Sequence, residues 1–259
     1  MTKTVLYSYS SKSQGAKKLA EALDIPMIHF KSKFKNSEDT VIINWGASSW
    51  PFTAIGNQKI YNWPDTVYKA INKLYFFQTM TDAPDPPRIP PWTTSQTVAV
   101  VWNASGVPVV VRNILTGHGG DGIIIVEPKG LFPVEQAPLY TQYIHKTHEF
   151  RVHIMKGKIF DYQEKVPAKD TEPKNWYIRN HDNGFKFVRG GVTLPEDVRK
   201  QSLKAFMASG LDFASFDIVY CAGTNKAYVL EANTASGLVG KTVESYTNAF
   251  KELLNSQNS

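Results

Sequence analysis

Near its C-terminus the chain has the sequence Phe216-Asp217-Ile218-Val219-Tyr220, followed shortly by Tyr228-Val229-Leu230-Glu231-Ala232-Asn233. Both stretches favour β-strands, and residues 221–226 between them contain the Gly and Asn that are typical of a hairpin turn. Side chains alternate between the two faces of a strand. Glu231 and Asn233 are therefore expected on one face, with Val229 in line with them.

The predicted hairpin leaves two registers open. If the strands fold about Gly223 or Thr224, Asp217 lies opposite either Leu230 or Glu231. In the second register two carboxylates face each other across the ladder at roughly 5 Å. Like charges at that distance repel, so the arrangement favours a hard divalent cation between them, and Asp, Glu and Asn oxygens suit Mg²⁺. The hairpin therefore predicts a magnesium site for nucleotide chemistry.

The composition favours a globular protein that binds anions. The 259 residues suffice for one large or two small domains. The net charge is +6 and the isoelectric point is near 9.2, which suits nucleotides or phosphates. The single cysteine, Cys221, excludes an intramolecular disulfide and a multi-cysteine metal site. Nucleophilic hydrolase chemistry is not supported, because no Gly-x-Ser-x-Gly sequence is present.

Sequence patterns also limit the expected partners. No apolar run approaches the roughly 20 residues that cross a bilayer, and the N-terminus lacks the apolar core of a signal peptide. Lys31, Lys33 and Lys35 could line one face of an extended segment, but such a run is more typical of a solvated surface. Neither zinc-finger spacing nor an RNP-type motif supports nucleic-acid binding. We therefore expect a cytoplasmic protein that binds neither membranes nor nucleic acid.

Hydrophobic periodicity predicts an alternation of strands and helices. Residues 3–44 indicate a small α/β unit, with strands at 3–9, 27–30 and 40–44 and a helix at 13–23. Pro64 is expected to open one long helix that continues to Met80, and the proline-rich residues 83–91 are the best linker candidate. The other expected elements are helices at 95–104, 195–210 and 242–254, strands at 107–112, 123–127, 140–144, 148–156 and 158–166, and a polar loop at 167–184.

A glycine-rich segment, Leu115-Thr116-Gly117-His118-Gly119-Gly120-Asp121-Gly122, connects two of the apolar strands. Its glycines let several backbone N–H groups point inward together, as in a phosphate-binding nest. It is not a Walker loop, since no Gly-Lys-Ser/Thr follows, and not a dinucleotide fingerprint, since a strand follows instead of a helix. A flap over a triphosphate and a flexible turn both remain open. Arg112 precedes the segment and could bind phosphate in a bidentate manner, or could be a surface arginine.

Polar side chains also share one face of two neighbouring predicted strands: Glu149, Arg151, His153, Asp161, Gln163 and Lys165. Such a face is either exposed to solvent or lines a polar ligand site. The glycine-rich segment and the carboxylate pair favour the ligand site. His148 and His153 are expected to be structural or surface residues, because no further His or Cys completes a metal site with them.

This order of elements resembles the ATP-grasp superfamily over most of residues 60–245. Residues 229–238, Val-Leu-Glu-Ala-Asn-Thr-Ala-Ser-Gly-Leu, are similar to the Glu-x-Asn-x-x-x-Gly-Leu magnesium motif of that family. The resemblance is greatest to the glutamate-ligase-like branch, which includes short forms encoded by phages. It implies an α/β (α+β) ATP-grasp fold in which two α+β lobes clasp ATP. The implied domains are an N-terminal pre-ATP-grasp domain at 1–63, a central region with the flap-bearing small lobe at 64–145, and a C-terminal lobe with the magnesium and phosphate site at 146–259.

The resemblance also assigns roles to individual residues. It implies that Asp217, Glu231 and Asn233 hold one or two Mg²⁺ ions, and that Arg151 and Lys165 are catalytic. Lys165 would lie near the transferred phosphoryl group, and Arg151, together with Glu149, would lie near the ribose and the acceptor. The implied nucleotide-binding residues are Lys73, Arg112 (where the family usually has a lysine), Gly117, His118, Gly119, Gly120, Gly122, the adenine-reading hinge Gln142, Tyr143 and Ile144, and the strand residues Glu149 and Lys165. From the sequence around the polar loop, Arg179, Asn180 and Arg189 are candidates for binding an acid substrate.

The function that the resemblance implies is an ATP-dependent carboxylate–amine ligase. Its partners would be Mg²⁺, ATP, and an acid and an amine that the sequence does not identify as small molecules, peptides or proteins. A small-molecule kinase on the same fold and a catalytically silent nucleotide-binding module are the alternatives. The expected location is the cytoplasm, or the host cytoplasm if a phage encodes the chain.

Overall fold

The computed structural model describes residues 3–51, 53–56, 58–117, 119–128 and 133–256, and within these ranges the chain forms six helices and thirteen strands. The helices are α1 (Gln14–Leu23), α2 (Pro64–Ile71), α3 (Lys73–Thr81), α4 (Gln96–Ala104), α5 (Glu196–Ser209) and α6 (Lys241–Asn255). The strands are β1 (Lys3–Ser8), β2 (Met27–Ile28), β3 (Thr40–Trp45), β4 (Ile60–Tyr61), β5 (Trp92–Thr93), β6 (Val109–Arg112), β7 (Ile123–Val126), β8 (Leu139–Gln142), β9 (His148–Met155), β10 (Lys158–Pro167), β11 (Phe185–Val188), β12 (Phe213–Cys221) and β13 (Lys226–Asn233). They form three sheets, each built from one continuous segment of the chain.

The first sheet is parallel and has the strand order β2-β1-β3-β4. Parallel neighbours need a crossover connection, and α1 supplies the one between β1 and β2. Ser13 caps α1 by accepting a hydrogen bond from the N–H of Ala16, and Leu19 and Ala20 on its apolar face are buried. The predicted α/β unit is therefore confirmed, although β4 was not predicted.

The second sheet is antiparallel and has the order β5-β8-β6-β7. Ala99 of α4 packs in one cluster with Val109 and Val111 of β6 and Tyr140 of β8. Strands β6 and β7 pair as far as Arg112 and Ile123, so the glycine-rich segment joins their ends. The segment therefore lies at one end of the β6–β7 hairpin of this sheet.

The third sheet is antiparallel and has the order β11-β10-β9-β12-β13. Its apolar face packs against α2, α3 and α5, with Phe150, Val152 and Ile154 of β9 in the middle of the main core. The opposite face of β9 presents the polar residues, as the alternation predicted. Lys73, the first residue of α3, lies 3.8 Å from Glu231 of β13. The division of the chain into domains at residues 63 and 145 remains a prediction.

The C-terminal hairpin uses both of the registers that the sequence left open. Near the turn Ile218 pairs with Val229, but a β-bulge then shifts the register and Asp217 pairs with Glu231. The bulge reverses the alternation of β13, so Val229 is fully buried in the core while Glu231 and Asn233 line a cavity. The expectation that Val229 shares their face was wrong, because a bulge cannot be read from alternation alone.

The single long helix expected from Pro64 to Met80 is wrong, because Asn72 divides it into α2 and α3. Asn72 has an extended backbone (φ −81°, ψ 113°), and its side chain accepts hydrogen bonds from the N–H groups of Leu74 and Tyr75, which caps α3. The break turns the first residue of α3 towards the glycine-rich segment, since the N–H of Lys73 donates to Leu115 O at 2.9 Å.

The proline-rich segment at 83–91 is docked on the third sheet rather than free. Arg88 N donates to Gln201 Oε1 at 2.7 Å, and Arg88 O accepts from Val229 N at 2.9 Å. Two further short strands, β5 and β11, were not predicted. None of the helices in the described ranges is long and apolar enough to cross a membrane.

Candidate active site

A cavity of about 1390 Å³ lies against the polar face of the third sheet. Its wall is completed by residues of the glycine-rich segment, of the polar loop around residue 179, of the loop that follows β3, and of the segment between β13 and α6. Residues of all three sheets, or of the loops that leave them, thus line the same cavity. It is large enough for a nucleotide and a second ligand, since sites for small molecules usually span 300–1,000 Å³.

Positive charge dominates the wall of this cavity. Within the described ranges, three carboxylates line it: Glu149, Asp217 and Glu231. Eight cationic side chains also line it: Lys73, Arg112, Lys146, Arg151, Lys165, Arg179, Lys186 and Arg189. A concave surface with such an excess of one sign concentrates ligands of the opposite sign. The cavity is therefore suited to a polyanion.

Asp217 lies at the centre of the polar sheet face and is held by two cations. Arg151 donates to both of its carboxylate oxygens, from Nε at 2.6 Å and from Nη2 at 2.8 Å. Lys165 Nζ lies 3.4 Å from Oδ2. Burial would raise the pKa of Asp217, but these cations hold it well below its usual range, so the group is a carboxylate at neutral pH.

Glu149 is buried between two lysines. Lys165 Nζ donates to its Oε1 at 2.5 Å, and Lys146 Nζ forms an ion pair with its Oε2 at 2.8 Å. The second contact lacks hydrogen-bond alignment, since Oε2 has no hydrogen-bond partner among the described residues. Burial would raise the pKa of Glu149, yet the lysines lower it. Burial also lowers the pKa of Lys146, despite the opposing effect of Glu149.

Glu231 is the most open of the three carboxylates. Its side chain is 33% exposed, and its closest charged contact is Lys73 Nζ at 3.8 Å. Asn233 lies beside it on the same face, and Asn233 Nδ2 is 3.5 Å from Asp217 Oδ1. No three His, Cys, Asp or Glu side chains of the described ranges form a metal-binding group, so the Asn233 amide oxygen would have to complete the set. Two carboxylates and an amide are hard oxygen ligands that fit Mg²⁺.

Arg112 and Lys73 lie on the opposite side of the cavity, beside the glycine-rich segment, and this side is called the flap side below. Arg112 is 6% exposed and packs over the Phe77 ring at 5.9 Å, and its side-chain Nε has no hydrogen-bond partner among the residues that the structure describes. Lys73 Nζ donates to Gly117 O at 2.8 Å. Burial lowers the pKa of both side chains. A buried guanidinium without a partner is costly, and a phosphate in the cavity would satisfy it.

The glycine-rich segment contributes Gly117, Gly119 and Gly120 to the wall, whereas Gly122 does not line the cavity. His118 lies outside the described residues. Gly119 and Gly120 have positive φ angles of 62° and 97°, a backbone conformation that glycine adopts without strain. The carbonyl of Gly119 accepts a hydrogen bond from Asn180 Nδ2 at 2.5 Å. The segment thus forms part of the cavity wall and is hydrogen-bonded to the polar loop.

The predicted hinge residues Gln142, Tyr143 and Ile144 are not part of the cavity wall. The N–H of Gln142 donates to Pro91 O at 2.9 Å, and the N–H of Tyr143 donates to Pro108 O at 2.8 Å. The Tyr143 ring packs edge-on against Tyr177 of the polar loop at 5.0 Å. Their role in reading adenine therefore remains a prediction.

The three candidates for binding an acid all line the cavity. Arg179 donates weakly to Thr147 O at 3.3 and 3.4 Å, and Asn180 donates to Gly119 O of the glycine-rich segment. Arg189 is fixed by Asp161, to which it donates at 2.9 and 2.6 Å. Asp161 therefore positions a cavity cation, a role that the alternation of β10 alone did not indicate.

Sequence reasoning missed two cations of the cavity wall, Lys146 and Lys186. Lys146 lies in the connection between β8 and β9, three residues before Glu149, and this spacing next to a predicted ligand residue was the one available signal. Lys186 lies on β11, whose strand character was not predicted. Both positions depend on long-range packing.

No protein-family model matches the sequence, and no curated protein matches it either. Similarity is found among solved structures. The ATP-grasp ligase PsnB, complexed with a minimal precursor, Mg and ADP, superimposes with a TM-score of 0.65 at 14% identity, over 96% of this chain and 96% of that chain.

Two further structures are similar to the same extent. A RiPP-associated ATP-grasp ligase from Chryseobacterium gregarium, in complex with ADP and a leader and core peptide, gives a TM-score of 0.64 at 14% identity over 99% of this chain and 97% of its own. D-alanine–D-alanine ligase from Bacillus anthracis gives 0.62 at 15% identity, over 95% and 92%. Identities this low establish architecture and not activity. The chain has the ATP-grasp fold.

Proposed function

We propose that the chain is an ATP-dependent carboxylate–amine ligase that forms an amide or peptide bond through an acyl phosphate. The observation that carries this proposal is Arg112, a buried guanidinium that faces the cavity and whose Nε has no hydrogen-bond partner among the described residues. The charge of Glu231 acts on Arg112 but is shared with Lys73 at 3.8 Å, so an anionic ligand would supply the hydrogen-bond acceptor that the guanidinium lacks. The excess of cations around it fits a triphosphate better than a single carboxylate.

Mg²⁺ is the expected metal of this site. Asp217, Glu231 and Asn233 would hold it, with room left for phosphate oxygens and water. When bound, Mg²⁺ would neutralise charge on the phosphates and help to orient them. The similar PsnB structure contains Mg and ADP, which supports this choice of metal and nucleotide.

The proposed chemistry makes a poor acylating agent reactive. A carboxylate oxygen of the acid attacks the γ-phosphorus of ATP, the bond to the bridging oxygen breaks, and ADP leaves. The amine then attacks the carbonyl carbon of the acyl phosphate, inorganic phosphate leaves with the former carboxylate oxygen, and the nitrogen loses a proton. Each turnover thus converts one ATP into one ADP and one phosphate.

The side chains of the cavity have distinct roles in this scheme. Arg112 and Lys73 bind phosphate from the flap side. Arg151 and Lys165 stabilise negative charge that develops on the transferred group, and their hydrogen bonds to Asp217 and Glu149 keep them oriented beforehand. The glycine-rich flap excludes water, which would otherwise hydrolyse the acyl phosphate.

The acid and the amine remain to be identified by experiment. Arg189 is a candidate for binding the acid, because it is oriented by Asp161 and lines the cavity. The similar structures differ in their substrates, since PsnB is complexed with a precursor and another of them is a D-alanine–D-alanine ligase. Both small metabolites and peptides therefore belong in the test. Such chemistry draws on the ATP of a cytoplasm, or of a host cytoplasm if a phage encodes the chain.

The decisive experiment is product analysis by mass spectrometry. Purified protein is incubated with Mg-ATP and either a metabolite or a peptide extract of cells. We expect a condensed product, with ADP and phosphate released one to one only when acid and amine are both present. With an acid that carries ¹⁸O in its carboxylate, one ¹⁸O should appear in the released phosphate.

A matched variant and two other outcomes sharpen this test. Glu231→Gln should form no product, which excludes a contaminating enzyme. A phosphorylated product without free phosphate would indicate a kinase instead. If Mg-ATP neither stabilises the protein against heat nor is consumed, the chain is a silent module.

A further inference from the structure

A buried polar network supports the cavity wall at the far side of Arg151. His153 is fully buried; its Nδ1 lies 3.0 Å from the Tyr246 hydroxyl and its Nε2 lies 3.0 Å from Gln163 Nε2. The Tyr246 hydroxyl in turn donates to Ser236 Oγ at 3.3 Å. Of these residues, only Gln163 also lines the cavity.

One assignment of donors and acceptors satisfies the groups of this network. If the Tyr246 hydroxyl donates to Ser236 Oγ, it accepts the Nδ1–H of His153. Burial lowers the pKa of His153 to about 3, so the ring is neutral and carries one N–H. Its Nε2 must then accept a hydrogen bond, and Gln163 Nε2 is the donor.

The second N–H of Gln163 is also engaged. It points to Thr242 Oγ1 at 3.4 Å, which accepts a stronger bond from Arg189 Nη2 at 2.7 Å. Gln163 Oε1 has no hydrogen-bond partner in the described ranges. Gln163 pairs with Arg151 across β9 and β10, and the cations of the cavity wall favour an amide oxygen over an NH₂ group at this position. The network and the charge of the wall therefore favour the same amide orientation.

We infer that Gln163 binds the amine substrate of the proposed ligase, with its Oε1 accepting one N–H of the attacking nitrogen; this inference rests on the proposed function. The nucleophile must keep its lone pair free for the carbonyl carbon. Gln163 Oε1 is an acceptor that no described residue uses, whereas Asp217 and Glu149 already accept hydrogen bonds from Arg151 and Lys165. His153 and Tyr246 are positioning residues, because they hold the amide of Gln163 and do not reach the cavity wall.

The amide orientation is tested first, without any substrate. Nitrogen-15 correlation spectra of the histidine rings at pH 7 report which ring nitrogen of His153 carries the proton, and His153→Gln assigns the signal. We expect the Nδ1–H form. An Nε2–H form would mean that the Gln163 NH₂ group faces the cavity, which overturns the inference.

The role in catalysis is tested with Gln163→Met, which keeps the length of the side chain and removes the acceptor. With the acid and amine found by product analysis, KM for the amine should rise at least tenfold, while KM for ATP stays within twofold. Hydroxylamine at high concentration traps acyl phosphate as a hydroxamate without using the amine site. Hydroxamate formation should therefore keep the wild-type rate.

Controls separate this inference from the proposed function. Tyr246→Phe leaves Gln163 in place but removes the phenol that orients His153, and it should raise KM for the amine by a smaller factor. The exposed Gln78→Met should change nothing. If Gln163→Met slows hydroxamate and product formation equally, the residue has no role specific to the amine. If wild-type protein forms no hydroxamate, the proposed function itself fails and the inference fails with it.

Discussion

The two sides of the cavity are built in opposite ways. On the sheet side the charges are paired by short contacts, such as Arg151 with Asp217 at 2.6 Å and Arg189 with Asp161 at 2.6 Å. On the flap side Arg112 has no hydrogen-bond partner for its Nε among the described residues, and the ion-pair contact of Lys73 to Glu231 is 3.8 Å long. The cations of the sheet side are held by close carboxylates, whereas the two cations of the flap side share the more distant Glu231.

The two sides therefore contribute differently: paired cations fix the geometry of the site, and cations without close partners attract the anionic ligand. Paired cations on strands of a five-stranded sheet keep their orientation before any ligand arrives, which is the condition for electrostatic catalysis. Cations without partners raise the affinity for an anion but lower the stability of the empty protein. We therefore expect substitutions on the sheet side to affect folding and turnover together, and substitutions on the flap side to affect mainly nucleotide binding.

The largest effect is expected for Asp217→Asn on the sheet side. The change leaves Arg151 and Lys165 buried without their shared carboxylate, and loss of one partner of a buried ion pair costs roughly 3–5 kcal/mol. Urea denaturation should show a free energy of unfolding lower by about that amount, and turnover should be lost. Glu231→Gln is the matched control, because its side chain is partly exposed: turnover should fall while stability changes by less than about 1 kcal/mol. Equal stability of the two variants would contradict the contrast.

On the flap side, Arg112→Met should weaken nucleotide binding without unfolding the protein. A charge-assisted hydrogen bond is worth about 1.5–3 kcal/mol, so Kd for Mg-ATP should rise roughly 10- to 100-fold in a calorimetric titration. Stability of the nucleotide-free protein should be unchanged or higher, because an unpaired buried charge is removed. Arg112→Lys keeps the charge and should retain part of the affinity. A less stable Met variant with normal affinity would show that Arg112 is structural.

The same contrast explains which parts of the molecule could be predicted from the sequence. Alternation along β9 placed Glu149 and Arg151 on one face, because the burial of the intervening apolar residues enforces it. Glycine spacing indicated the loop at 115–122. The break at Asn72 had a local signal, the Asn side chain that caps α3, but the apolar periodicity on both sides of it favoured one helix. The bulge at Leu230 could not be predicted, because it depends on the packing of the strands around it. Lys146 and Lys186 reach the cavity for the same reason.

On the sheet side, the buried His153 should also make the free energy of unfolding depend on pH. Its pKa of about 3 in the fold is lower than the value of about 6.5 in an unfolded chain. Between these values only the unfolded state gains a proton, so stability falls as pH drops below about 6.5, by about 2 kcal/mol at pH 5. Asp217 and Glu149, whose pKa values are lowered, add to this loss only at lower pH.

The measurement is the free energy of unfolding at pH 7 and pH 5. In His153→Gln the difference between the two values should shrink by most of the expected amount, because no buried imidazole is left to be protonated. A difference as large as that of the wild type would assign the acid sensitivity to other groups. Any loss of stability that is equal at both pH values reflects packing and leaves this comparison intact.

The smallest effect is expected for the contact that ties the flap to the polar loop. A Cβ at Gly120 would lie 2.9 Å from Ile178 Cγ2, whereas a Cβ at Gly119 would meet no heavy atom within 4 Å. Both residues have positive φ angles, so alanine strains the backbone by about 1 kcal/mol at either position, and Gly119→Ala controls for that strain. Gly120→Ala should additionally displace the loop and raise KM for ATP a few-fold above the control. If both variants behave alike, the contact with residues 177–180 does not contribute to nucleotide binding. The affinity for the nucleotide on this side then depends on the charges of Arg112 and Lys73.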